Sequence, residues 1–152
     1  MPHSLSCLYI HLIFHIKKSS CVHIRQEDEA ELYAYIASVI KLTESKPILI
    51  NGTHDHVHIF CMLSKNISLA FLVKEIKRNS SRWIKSKNEC YQNFAWQGGY
   101  AGFSVSQSLY DKTIRYIQSQ KDHHRKKSFQ EEYILFLENY KVEYNKEFIW
   151  YD

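Results

Sequence analysis

Between Cys7 and Ile16 the chain alternates strictly. Leu8, Ile10, Leu12, Phe14 and Ile16 are apolar, while Cys7, Tyr9, His11, Ile13 and His15 between them are mixed. A period of two sustained over this stretch predicts a strand with one apolar face and one mixed face. Such a strand suits a sheet covered by helices on one side and free for another task on the second. His11 and His15 are read as surface or interface residues.

A polar connection leads to an amphipathic segment. From Glu27 to Glu44, Leu32, Ile36, Val39 and Ile40 recur at helical spacing, and acids gather in the first turns where the helix dipole favours them. Pro47 ends this helix, residues 48–50 form a short strand, and Asn51-Gly52 turns the chain into the next strand, which runs from the histidines into Ile59-Phe60-Cys61-Met62-Leu63. Ser68 caps a second helix whose stripe is Leu69, Leu72, Val73 and Ile76. Trp96, Tyr100 and Phe103 surround Gly98-Gly99 in a bend feeding a last strand, 102–105. Residues 106–124 read as a third helix with Tyr110, Ile114 and Ile117 on one stripe. Ser128 caps a final helix, 129–139, followed by a tail to 152. This order predicts an α+β fold: a mostly antiparallel sheet of the ferredoxin-like, split βαβ kind, with helices packed mainly on one face. With no repeat and no linker in 152 residues, a single domain over 1–152 is expected.

Composition narrows the setting. Apolar residues at 45% and charged residues at 24% mark a globular chain rather than a disordered one. Cys7, Cys21, Cys61 and Cys90 contain no CxxC pair, so the usual zinc spacing and a compact disulfide framework are both disfavoured and a reduced, cytoplasmic protein is expected. His11 and His15 interrupt the only early apolar run and Lys17-Lys18 follow it, which argues against a signal peptide or a membrane span. A net charge of +4 is too small to identify a nucleic-acid partner, so placement decides. Lys74, Lys77, Arg78, Arg82, Lys85 and Lys87 crowd the second helix with Glu75 as the one acid among them, and several share a face away from the apolar stripe. With exposed aromatics nearby, that face would suit single-stranded nucleic acid.

The chemistry lies in two places. In an extended strand His54, His56 and His58 project to one side, half of a metal site. On the third helix Tyr116 and Gln120 form an i, i+4 pair rotated off the core stripe, and His124 continues their row. Two imidazoles and an amide oxygen can hold a divalent cation with positions left for a phosphate, the requirement for Lewis-acid polarisation of a phosphodiester. A phenol with an ordinary pKa of about 10 is a poor nucleophile unless its surroundings favour the phenolate. Attack by it would conserve the cleaved bond as a phosphotyrosine ester. On these residues alone, surface histidines, a histidine-triad-type nucleotide hydrolase and a non-catalytic single-strand-binding module all remain open, and His54, His123 and His124 compete as ligands.

At these positions the chain resembles the single-tyrosine HUH transposases, the small insertion-sequence transposases and REP-associated tyrosine transposases. His56-Val57-His58 looks like the family's His-hydrophobic-His motif. Asn51-Gly52 before it, Ile76-Lys77 with Ser80-Ser81, Trp96-Gln97-x-Gly99-Tyr100 with Phe103-Ser104-Val105-Ser106, and Tyr116-Ile117-x-x-Gln120-x-x-His123-His124 follow in the family's order. The likeness spans nearly the whole chain. It departs at His15-Ile16-Lys17-Lys18, where many relatives carry a Thr-Lys-Tyr-Arg-like stretch. The resemblance implies a bacterial, cytoplasmic, DNA-associated homodimer that cuts and rejoins single-stranded DNA through a 5′-phosphotyrosine link. It further implies recognition of DNA hairpins at element ends and use of a divalent metal ion, Mg2+ or Mn2+. Position by position, Tyr116 on a C-terminal helix would be the nucleophile and His56, His58 and Gln120 the metal ligands; the basic face of the second helix supplies Lys74, Lys77, Arg78 and Arg82 as the expected DNA contacts.

Overall fold

The computed structural model describes residues 3–123, 127–147 and 149–150, with His123 described by its backbone alone. Four strands, β1 (Tyr9–His15), β2 (Lys46–Gly52), β3 (His56–Met62) and β4 (Ala101–Val105), form one sheet in the order β2-β3-β1-β4, and every neighbouring pair is antiparallel. Helix α1 (Gln26–Leu42) connects β1 to β2 and α2 (Leu69–Lys87) connects β3 to β4, which is the split βαβ pattern expected. Pro47 lies inside β2 rather than ahead of it. An edge strand tolerates the missing N–H, and the register shifts between Pro47 and Leu49.

The apolar face of β1 decides where the main core forms. Leu12, Phe14 and Ile16 join Val57, Ile59 and Cys61 of β3 against Leu32, Ile36, Val39 and Ile40 of α1 and Leu72, Val73, Ile76 and Ile84 of α2. Burying each such side chain contributes about 1.5–3 kcal/mol before entropy is counted, so this layer holds the two longest helices on the sheet. Ser68 caps α2 by accepting from the Phe71 N–H at 3.0 Å.

The mixed face is covered too, by shorter helices: α3 (Tyr110–Gln118), the four-residue α4 (Gln120–His123) and α5 (Phe129–Asn139). Ile117 packs on Phe60 and Val105, while Phe129, Tyr133 and Leu137 pack on Ile13, Ala101 and Phe103. The expected third helix is interrupted at Ser119, which separates α3 from α4. His11 and His15, expected at the surface, are each only 3% exposed, because α5 closes over the face that carries them. Among the described residues no helix is long and apolar enough to cross a membrane.

Candidate active site

The turn between β2 and β3 sets the geometry of the histidines. A Cβ on Gly52 would stand 2.2 Å from the carbonyl oxygen of His56, so a side chain there would push against the backbone of the ligand strand. His54 stays in the turn, exposed, with its ring against His23, and does not join the others. His56 and His58 fall in β3 on its mixed face, both fully buried.

Each of the two rings is oriented through its Nδ1. His56 Nδ1 lies 2.7 Å from Asp55 Oδ1 and 2.9 Å from Thr53 Oγ1, and the Thr53 hydroxyl also donates to the same Asp55 oxygen. Burial alone would raise the Asp55 carboxyl, but hydrogen bonding and charge from His56, helped by Thr53, hold it well below the usual carboxylate range. Asp55 is therefore an ionised acceptor for an Nδ1–H of His56. His58 Nδ1 lies 2.8 Å from Nε2 of His11. Burial, with His58 adding and Glu132 opposing, pushes the His11 imidazole well below its ordinary pKa, so it is neutral. For His58 Nε2 to face a cation its proton must sit on Nδ1, where His11 is placed to accept it.

Two oxygen-bearing side chains meet the outward nitrogens. Gln120, fully buried on α4, places Oε1 3.4 Å from His56 Nε2, while its Nε2 is turned toward the Tyr116 carbonyl at 3.5 Å. Glu132 of α5, 4% exposed, places Oε1 2.8 Å from His58 Nε2 and 4.0 Å from His56 Nε2. In the protein alone these are hydrogen-bond contacts; with the imidazole protons on Nδ1, the same two nitrogens and the amide and carboxylate oxygens would face a cation. Ligand atoms of His56, His58 and Glu132 all lie within 4.8 Å of one another. Two nitrogens, an amide oxygen and a carboxylate oxygen fit a divalent ion of the hard-to-borderline class.

Tyr116 completes the group. Its ring packs edge-on against His11, His58 and Phe136 and forms one wall of a cleft of about 340 Å³ that Lys112, Asn139 and Tyr140 also line. Burial, then the charge of Glu132 and a hydrogen bond to it, raises the phenol far above its ordinary value, and Gln120 works in the opposite sense. The hydroxyl is neutral and tied to Glu132.

Tyr116, His56, His58 and Gln120, expected from sequence, thus converge on one point. Glu132, Asp55, Thr53 and His11 join them unannounced. Among the competing ligands His54 points elsewhere, and the His123 side chain and all of His124 lie outside the described residues. Of the basic residues on α2, Lys74, Arg78 and Arg82 are exposed, Arg78 beside Glu75. Lys77 is half-buried. Its ammonium donates to the carbonyls of Gln97 at 2.8 Å and Gly99 at 2.5 Å and stands over the Phe14 ring, and burial lowers its pKa to about 8.

Changing the support of His56 tests the metal-centre reading. Asp55→Asn is expected to weaken Mn2+ binding by about 10–100-fold, because losing the carboxylate loosens the ring's orientation and lowers its basicity. Titration calorimetry reads this directly, and unchanged affinity would show that Asp55 is no part of the centre.

An HxH strand beside a tyrosine helix on a ferredoxin-like sheet is the arrangement that the resemblance to DNA strand transferases implied, and the comparisons give the family and the fold. A family model described as "Transposase IS200 like" matches residues 4–120, so the chain belongs to the IS200-like transposases. A solved structure described as a candidate transposase from Deinococcus radiodurans is 20% identical, with a TM-score of 0.60, covering 79% of this chain and 95% of that one. A REP-associated tyrosine transposase solved bound to a REP hairpin is 14% identical, with a TM-score of 0.57, over 82% of this chain and 72% of that one. At such identities these two structures speak for the fold. Comparison with curated proteins returned no match. Membership makes the chain a transposase acting in DNA recombination. The family match ends at Gln120, so Glu132 lies beyond it.

Proposed function

We propose that this transposase cuts and rejoins single-stranded DNA with Tyr116 as nucleophile, through a 5′-phosphotyrosine link, at a site that also holds a divalent metal ion. The observation that carries this is the meeting of His56 Nε2, His58 Nε2, Gln120 Oε1 and Glu132 Oε1 beside the Tyr116 hydroxyl. His56, His58 and Gln120 would hold Mg2+ or Mn2+, with Glu132 supplying a further oxygen. When bound, the ion supplies Lewis-acid polarisation of the scissile phosphate. The chain's own residues do the rest. Asp55 and His11 orient the two imidazoles, packing on Phe136 and His58 keeps the Tyr116 ring in place, and Glu132, which holds the phenol neutral, is the group placed to take its proton as the oxygen attacks. Attack by the phenolic oxygen forms the phosphotyrosine bond and releases a 3′-hydroxyl. The reverse attack rejoins a strand without an outside energy source.

The exposed cations Lys74, Arg78 and Arg82 of α2 are the proposed DNA contacts, and the hairpin of the REP-associated relative suggests a hairpin as the element recognised. Assembly as a homodimer, with the tyrosine helix serving its own or its partner's site, belongs to the same reading. Lys77 has a different part, as a tether of the loop before β4. Lys74→Ala and Arg82→Ala should each lower the slope of log affinity against log salt by about 0.7, the single-strand value for one phosphate contact. Lys77→Ala should chiefly destabilise the fold, by about 1–3 kcal/mol, because two carbonyls lose their donor. Filter binding across a salt series and urea unfolding separate the two effects.

The decisive experiment incubates the protein with labelled single strands carrying hairpin ends and a divalent ion, and looks for a covalent protein–DNA band. The expected band maps to Tyr116 by peptide sequencing and disappears with chelator. A band mapping to another residue, or no band across a wide panel of hairpins, overturns the proposal.

A further inference from the structure

Asn51 sits where two parts of the site must be referred to each other. In the sheet it is paired directly with His58, so its backbone moves with the ligand strand. Its side chain reaches away from the sheet and donates Nδ2–H to the carbonyl of Ile117 at 2.8 Å and to that of Gln118 at 3.3 Å. Both partners are carbonyl oxygens, so only the amide nitrogen can face them. These carbonyls belong to the last turn of α3, where the backbone N–H groups that would continue the helix ladder run out. They directly precede the break at Ser119 that lies between Tyr116 and Gln120.

The apolar contacts of α3 do not define its rotation. Tyr110, Ile114 and Ile117 meet Phe60 and Val105 through apolar surfaces, and apolar contact is non-directional. Those apolar contacts by themselves would let a nine-residue helix rotate or slide on the sheet at small cost. A bifurcated amide clasp is directional and tolerates neither movement. Among the described residues the further polar ties here are the Tyr116 hydroxyl to Glu132 of α5, Gln120 to His56 at 3.4 Å and Lys121 to Glu29 of α1 at 2.8 Å; the first and last join other helices, and the Gln120 contact lies inside the site whose alignment is at issue.

We infer that Asn51 is a positioning residue that indexes the tyrosine helix to the metal-ligand strand, so that Tyr116 and Gln120 arrive at His56 and His58 together. This rests on the reading of Tyr116 as nucleophile. Asn51→Asp is nearly isosteric, removes both donors and sets a carboxylate against two carbonyls. Asn51→Leu removes the donors without adding charge, which keeps the test valid if the acidic variant fails to fold.

The test places 3-fluorotyrosine at position 116 in the full chain and records the fluorine resonance, with a second label at Tyr91 in the opposite core. In both variants the resonance at 116 is expected to shift or broaden while that at 91 stays. Covalent adduct formation is expected to fall about 100-fold in kcat, the order of loss from a misplacement of about 1 Å, with KM for the strand within about twofold. An unmoved resonance at 116 with wild-type kcat overturns the inference. So does a lower melting temperature with kcat per folded molecule unchanged, since that is a structural role alone. If the wild-type chain forms no adduct at Tyr116, the nucleophile reading fails, and the fluorine result alone decides whether Asn51 holds the helix.

Discussion

Tyr116→Phe is expected to abolish covalent attachment to single-stranded DNA while leaving strand binding nearly intact. The phenylalanine ring keeps the edge-on contacts with His11, His58 and Phe136, so the local packing survives. What is lost is the hydroxyl and its hydrogen bond to Glu132. Losing one hydrogen bond of a partly buried group changes stability by about 1 kcal/mol, a small fraction of a domain's total. Losing the nucleophile has no such limit. By analogy with nucleophile deletions elsewhere, adduct formation should fall by at least about 10⁴-fold, a change carried by kcat and not by KM. Quenched-flow measurement of the labelled protein–DNA band gives both constants. Persistence of the band in the phenylalanine variant would place the nucleophile elsewhere.

Addition of Mn2+ to metal-free protein is expected to raise its melting temperature by about 5–10 °C at a hundredfold excess over Kd. Linkage gives about 2.7 kcal/mol of stabilisation at that concentration, and a domain of this size gains about 2–4 °C per kcal/mol. His56→Ala and His58→Ala should each erase the increment by removing a ligand. Glu132→Gln separates two effects of opposite direction. Without metal it removes a buried carboxylate but keeps an acceptor oxygen for Tyr116 and His58, so stability stays level or rises. With metal it withdraws the charge that favours the ion, so the increment shrinks. Differential scanning calorimetry on the four proteins, with and without Mn2+, checks every arm. An increment unaffected by either histidine change would mean that the ion binds elsewhere.

How far the sequence carries is clearest at the individual residues. The alternation around Leu12 and Phe14 and the stripes of α1 and α2 are legible because strand and helix periods are imposed by backbone geometry, and the larger core follows them residue by residue. The pairs His56 with His58 and Tyr116 with Gln120 are legible for the same reason, each being a local spacing on a single element. His11 is not. Its contact with His58 depends on β1 lying beside β3 in one particular register, which no local pattern states. Glu132 is hidden differently. Its helix carries Phe129, Tyr133, Phe136 and Leu137 on an inward stripe, and an acid three residues after Phe129 falls within that stripe. An acid at a core position is the one signal that marks it, and its partner lies far away in sequence.

The segment that makes the chain recognisable as an IS200-like transposase closes at Gln120, yet a buried member of the proposed metal group comes from α5. Two chains could therefore agree throughout the shared segment and still differ in what fills the place Glu132 occupies, a carboxylate in one and an apolar or amide side chain in the other. Variation in metal preference or in the ease of strand attack among close relatives would then be written after the part of the sequence by which they are recognised, in a stretch free to diverge between lineages.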